Sequence, residues 1–184
     1  RGYKNMHSQI EVTSWDKVIY FIENNNIMNK FDYVWIIEDD CYLNNKLFNQ
    51  FINNQNSETA DLLLFGWFKN KKIDSWAHWN KNNSKNGKQF FNNKNLRASI
   101  NQICRMSPRM INKISELREK HNEFCFHELQ FASIVEENKL KQKIITPSNI
   151  KISAFPNKLS NKNQQSLNNS NYLIVHPVKK WYDN

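Results

Sequence analysis

The run Tyr33-Val34-Trp35-Ile36-Ile37, stopped by Glu38-Asp39-Asp40, limits what this chain can fold into more than any other stretch. Consecutive β-branched and aromatic residues fit a strand covered on both faces, as strands are inside a parallel sheet. The expected class is therefore α/β, and the acids fall at the carboxyl end of the strand. In open α/β sheets that edge is where ligands bind, and clustered carboxylates there offer oxygen to a hard divalent cation such as Mg²⁺ or Mn²⁺. The plainer reading is a solvated turn, or a helix start favoured by the helix dipole. The company the acids keep along the chain separates the two.

A length of 184 residues suits one domain, 1–184, with a sizeable core although the hydrophobic fraction is only 39%. The net charge of +9 favours polyanionic partners, whether nucleic acid, anionic membrane or phosphorylated small molecules. Lysines interleaved with asparagines, rather than gathered on one arginine-rich helix, disfavour nucleic acid. The asparagine runs, such as Asn24-Asn25-Asn26, are what AT-rich codons produce and carry no function by themselves. Cys41, Cys104 and Cys125 lie far apart with no CxxC spacing, which argues against a disulfide framework or a zinc site and for buried thiols. Asn82 and Asn168 match the N-glycosylation pattern, but at this asparagine content chance matches are expected. The chain has no signal peptide and no apolar run long enough to span a bilayer. Because it begins at Arg1, an upstream leader or anchor stays open, as do cytoplasmic and lumenal locations.

Trp15, Val18, Ile19 and Ile22 recur at helical spacing, with Thr13 or Ser14 as the expected N-cap. Leu47, Phe48, Phe51 and Ile52 predict a second short helix, and Asp61-Leu62-Leu63-Leu64-Phe65 a buried strand that Gly66 ends. From 67 to 96 the pattern is irregular, and a loop of that length in a compact domain is functional or disordered. Its Trp67, Trp76, His78 and Trp79 either stack on sugar rings or plug the core beneath. Residues 97–105 read as one strand. Ser107-Pro108 is an N-cap followed by proline at the first helical position, with Met110, Ile111, Ile114 and Leu117 as the helix face. After the apolar Phe124-Cys125-Phe126, His127-Glu128 opens another helix through Leu129, Ala132 and Val135. Lys143-Ile144-Ile145 predicts a strand, 157–171 a polar flexible loop, and Tyr172-Leu173-Ile174-Val175 a last strand delivering His176-Pro177-Val178-Lys179-Lys180.

An acid triplet after a buried strand, an acid opening a later helix and a late histidine resemble, in that order, the metal-dependent glycosyltransferases of the GT-A fold. The nearer resemblance is to glycosyltransferase-like proteins of protists, algae and large viruses, in Trp15-Asp16-Lys17, Tyr33 to Asp40 and His176-Pro177-Val178-Lys179. It implies a Rossmann-like, mostly parallel central sheet flanked by helices. About thirty residues precede the acid strand, fewer than two strand–helix units need, so the nucleotide-binding front is short or missing, or the chain is the C-terminal part of a longer domain. The resemblance implies Mn²⁺ or Mg²⁺ held by Glu38, Asp40 and His176, with Asp39 toward the donor's ribose or sugar and Lys179 or Lys180 neutralising the departing diphosphate. Gly66 would lie at the donor site, and Trp67, Trp76, His78 and Trp79 would meet sugar or acceptor. Glu128 matches the general base of inverting members. The implied activity is hexosyl or pentosyl transfer from a nucleotide sugar, a UDP-sugar first, to a glycan, protein or lipid acceptor. Its rivals are a metal-dependent phosphodiesterase or nuclease, and a non-catalytic carbohydrate-binding remnant of the fold.

Overall fold

Leu62, Leu63 and Leu64 have no exposed surface, a pattern that only an interior strand sustains on both faces. They form β4 (Leu62–Phe65) in a computed structural model that describes residues 4–5, 10–65, 68–70, 90–92, 94–121, 123–124, 126–145, 150–159 and 171–180. The chain is mixed α/β and divides into two compact units, residues 1–36 with 60–145, and residues 37–59 with 146–184. Four α-helices are present among the described residues.

In the first unit, four strands run in the order β2 (Val34–Ile37), β7 (Ile103–Met106), β4 and β9 (Gln142–Ile145). β7 is antiparallel to β4 and β9 is parallel to it, so the sheet is mixed. β2 is an edge strand rather than an interior one, and only Ile36 in it is buried. The reason lies in what covers each face. Val34 and Ile36 face the core, while the guanidinium of buried Arg105 lies 3.9 Å over the Tyr33 ring and 6.0 Å from the Trp35 ring. A cation over aromatic faces lets an apolar run sit at an edge without a second apolar layer.

Asp61 ties three strands together just ahead of β4. Its Oδ1 accepts from the Ser107 hydroxyl at 2.8 Å and its Oδ2 from the Lys141 N–H at 2.9 Å. These are bonds to a buried, charged acceptor, so Asp61→Ala is expected to lower unfolding free energy by about 2–3 kcal/mol in urea denaturation. A change within experimental error would show that the strand ends hold without it.

The first helix, α1 (Ile10–Asn24), starts ahead of Thr13 and Ser14, which lie within it rather than capping it. Trp15, Ile19 and Ile22 are buried as expected, but Val18 is exposed, because the covered stripe is narrower than the apolar pattern. The helix α3 (Pro108–His121) follows its expected cap, with the Met110 N–H donating to Ser107 Oγ at 3.2 Å. The helix α4 (His127–Glu137) buries residues all round its first two turns. Residues 97–105 do not form one strand: β6 (Arg97–Ser99) pairs with β5 (Phe68–Asn70), and β7 starts only at Ile103. Asn101 makes the break. It accepts from Ser99 Oγ and donates to the His127 carbonyl, which turns the chain from one sheet toward another. A short pair, β1 (Lys4–Asn5) with β8 (Glu123–Phe124), completes the described strands of this unit.

In the second unit, β11 (Ile174–Lys180) is flanked by β10 (Ile150–Leu159), parallel, and β3 (Tyr42–Leu43), antiparallel. Two expectations change here. The last strand continues through His176-Pro177-Val178-Lys179-Lys180 instead of ending at Val175, and 157–159 are paired strand rather than loop. The register jumps so that residues 153–156 of β10 stand opposite Pro177 alone, which has no N–H to give the ladder. The helix α2 (Asn45–Asn54) is capped by Asn44, whose side chain accepts from the Leu47 N–H, and it buries Phe48. No described helix is long and apolar enough to cross a membrane.

Candidate functional site

The acids leave β2 in a tight turn, closed where the Cys41 N–H donates to the Glu38 carbonyl at 3.2 Å. The chain then reverses as β3 along β11, with Tyr42 opposite Val175 and Leu43 opposite Ile174. Cys41 and His176 are the next residues along the two strands beyond that pair. The Asp40 carbonyl, accepting from the Val178 N–H at 2.7 Å, ties the turn to the same strand. Strand pairing thus carries acids from the first quarter of the chain onto a histidine near its end.

The side chains then meet. His176 Nε2 is 3.1 Å from Glu38 Oε2 and 3.1 Å from Asp40 Oδ1, with the imidazole 12% exposed. A ring nitrogen at this distance from two carboxylate oxygens can donate a hydrogen bond to them or share a metal ion with them. The carboxylate oxygens suit the expected Mn²⁺ or Mg²⁺, while the imidazole nitrogen favours a transition metal, so the set fits Mn²⁺ better than Mg²⁺. His176 Nδ1 is buried and has no hydrogen-bond partner among the described residues. Asp39, between the two acids, is exposed.

Cys41 is the member that sequence spacing missed. One donor atom each from Asp40, Cys41 and His176 lie within 4.8 Å of one another. Burial, then the Glu38 and Asp40 carboxylates, push the Cys41 thiol far above its usual range, so in the bare protein it keeps its proton. Counting cysteines by mutual spacing could not find it, because its neighbours are the acids just before it in the chain and a histidine reached through strand pairing. The expectation that the cysteines are buried thiols holds for Cys104, whereas Cys41 is half-buried in the polar cluster. Cys125 lies outside the described residues.

Glu128 belongs to the first unit. It sits in the first turn of α4, 6% exposed, where its Oε1 accepts from Gln102 Nε2 at 3.3 Å. The helix start favours its negative charge. His127 beside it is a core residue, stacked on Trp15 with ring centroids 4.7 Å apart. Lys179 and Lys180 are placed as backbone of β11. Gly66, Trp67, Trp76, His78 and Trp79 lie outside the described residues, as do both glycosylation-pattern asparagines, Asn82 and Asn168.

No protein-family model matches the chain, and no curated protein matches it. The functional reading therefore rests on the residues themselves.

Proposed function

We propose that the chain is a GT-A-like glycosyltransferase domain, moving sugar from a nucleotide-sugar donor, a UDP-sugar first, to an acceptor hydroxyl with Mn²⁺ or Mg²⁺. The observation that supports this reading is the meeting of Glu38 and Asp40 with His176. Acids from a strand end and a histidine from the far end of the chain make one polar cluster, the arrangement that a nucleotide-diphosphate metal needs.

In this reading Glu38, Asp40 and His176 hold the cation. Bound there, it supplies charge that neutralises the donor diphosphate and stabilises the leaving group. Exposed Asp39 suits the hydroxyls of the donor's ribose or sugar. Lys179 and Lys180, next on the His176 strand, add positive charge for the departing phosphate. The resemblance gives Glu128 the part of general base toward an acceptor hydroxyl, a role that requires hydrogen-bond reach to that hydroxyl.

Titration calorimetry with Mn²⁺ and a panel of nucleotide sugars tests the reading. The expected result is UDP-sugar binding that requires the metal and disappears in Asp40→Ala. Metal-independent binding of an oligonucleotide would replace the reading with a nucleic-acid role. Binding of a free glycan without nucleotide would replace it with a carbohydrate-binding domain.

A further inference from the structure

We propose that Asp40, Cys41 and His176, with Glu38 beside them, form a site for a sulfur-accepting divalent ion, Zn²⁺ in the first instance, with the Cys41 sulfur as a direct ligand. The proposal shares side chains with the transferase reading but needs neither nucleotide nor sugar.

Three observations carry it. The first is topological. Residues opposite one another on paired strands send their side chains to the same face, with Cβ atoms about 4.5–5.5 Å apart. Tyr42 pairs with Val175, so Cys41 and His176 are the next residues along the two strands, and a donor atom of each lies within 4.8 Å of the other. A cysteine and a histidine at that separation can reach one ion.

The second is distance. A tetrahedron built on bonds of about 2.0–2.1 Å to nitrogen and oxygen has edges of about 3.3 Å. His176 Nε2 stands 3.1 Å from an oxygen of Glu38 and 3.1 Å from one of Asp40, close to that edge already. With a bond of about 2.3 Å to sulfur, the edges to Sγ become about 3.6 Å. Sγ lies within 4.8 Å of a donor atom of Asp40 and of one of His176, so ligation needs a contraction of about 1 Å at the sulfur.

The third is donor chemistry, which the 3.1 Å spacing does not decide. An octahedral Mn²⁺ or Mg²⁺ also has ligand edges of about 3 Å, but these hard ions prefer oxygen and have little use for sulfur. Imidazole, thiolate and carboxylate together are the ligands of Zn²⁺ and of its analogue Co²⁺. On ligation Cys41 gives up its thiol proton to solvent and binds as thiolate. Zn²⁺ also stands above Mn²⁺ in affinity for a given site, so it displaces the hard ion where both are present. Cys41 thereby makes the cluster sensitive to which metal is available.

The test uses Co²⁺ with the whole chain. Titrating Co²⁺ into the metal-free protein is expected to give a near-ultraviolet thiolate-to-cobalt charge-transfer band, bleached by equimolar Zn²⁺. The band is expected to vanish in Cys41→Ser and to remain in Cys104→Ala, with Zn²⁺ affinity in Cys41→Ser lowered on the order of 100-fold. Absence of the band from the native chain, or its survival in Cys41→Ser, overturns the proposal. A second measurement needs no variant: Zn²⁺ is expected to shield Cys41 from alkylation in peptide mapping, and Mg²⁺ is not. Equal alkylation with and without Zn²⁺ overturns it as well. The two readings fail separately. A cobalt band without nucleotide-sugar binding keeps this proposal and removes the transferase, while Mn²⁺-dependent UDP-sugar binding without a band does the reverse.

Discussion

Replacing Asp16 by Asn and Glu23 by Gln together is expected to destabilise the first unit by about 3–5 kcal/mol, a large share of the stability of an ordinary domain. The cause is Arg118, whose side chain is 0% exposed. Its Nε lies 3.4 Å from Asp16 Oδ1, and its Nη1 donates to Glu23 Oε2 at 3.2 Å. The two acids are two helical turns apart on α1, so one face of that helix presents both to α3. A guanidinium cannot shed its proton to escape burial, and without these carboxylates it stays charged away from water. Equilibrium denaturation in urea measures the loss. A cost below about 1 kcal/mol, the scale of an exposed pair, would show that Arg118 does not depend on them.

The converse variant, Arg118→Met, is expected to cost less, because Asp16 and Glu23 keep some water at 11% and 25% side-chain exposure. Its cost should also depend on pH in a definite direction. Burial holds both carboxyls above their ordinary values of 3.8 and 4.5, and Arg118 offsets part of that rise. Removing the guanidinium lets both climb further. A carboxyl whose pKa is higher folded than unfolded adds stability below its unfolded pKa and loses it as pH rises through the folded one. The deficit of Arg118→Met should therefore narrow below the ordinary carboxyl values and widen toward neutrality. A deficit that is flat with pH would mean that the acids do not lean on the guanidinium.

The second large effect concerns turnover. In the transferase reading, Asp40→Ala is expected to lower metal-dependent transfer by about 1,000-fold or more, equivalent to about 4 kcal/mol of barrier. The fold should be little changed, because the bond from the Val178 N–H to residue 40 uses the main-chain carbonyl and survives the substitution. Glu128→Gln should separate from it cleanly. Loss of a general base costs about 100- to 10,000-fold in rate, while Mn²⁺ and UDP-sugar binding stay as they were. Product formation by mass spectrometry, set beside calorimetry on the same variants, reads both. Transfer by Asp40→Ala within about tenfold of the native chain would place the metal elsewhere, since ten is only about 1.4 kcal/mol.

How far such features could be foreseen depended on how local they are. Ser107-Pro108 announced the start of α3 because a cap and the first helical residue are settled within four residues, and the Met110 bond to Ser107 Oγ follows from them. The helical faces of Trp15, Ile19 and Ile22 and of Met110, Ile111 and Ile114 were legible for the same reason, as a period within one element. Glu38, Asp40 and His176 were singled out by residue type, by their place beside strands and by the resemblance to GT-A transferases, and that much needed no partner strand.

Pairing between strands was a different matter. An apolar run reads alike whether a second sheet face or an arginine covers it. The interior position expected of Val34–Ile37 therefore belongs to Leu62–Phe65, and Arg105 covers the aromatic face of β2. His176 lies inside a strand rather than past its end because β10, from elsewhere in the chain, pairs with it at Ile152 and resumes at Val178. Cys41 joins the acids and the histidine for the same reason. A strand register is a sum over many distant backbone bonds and side-chain contacts, so residue order alone supplied the donor types, and tertiary pairing chose which of them come together.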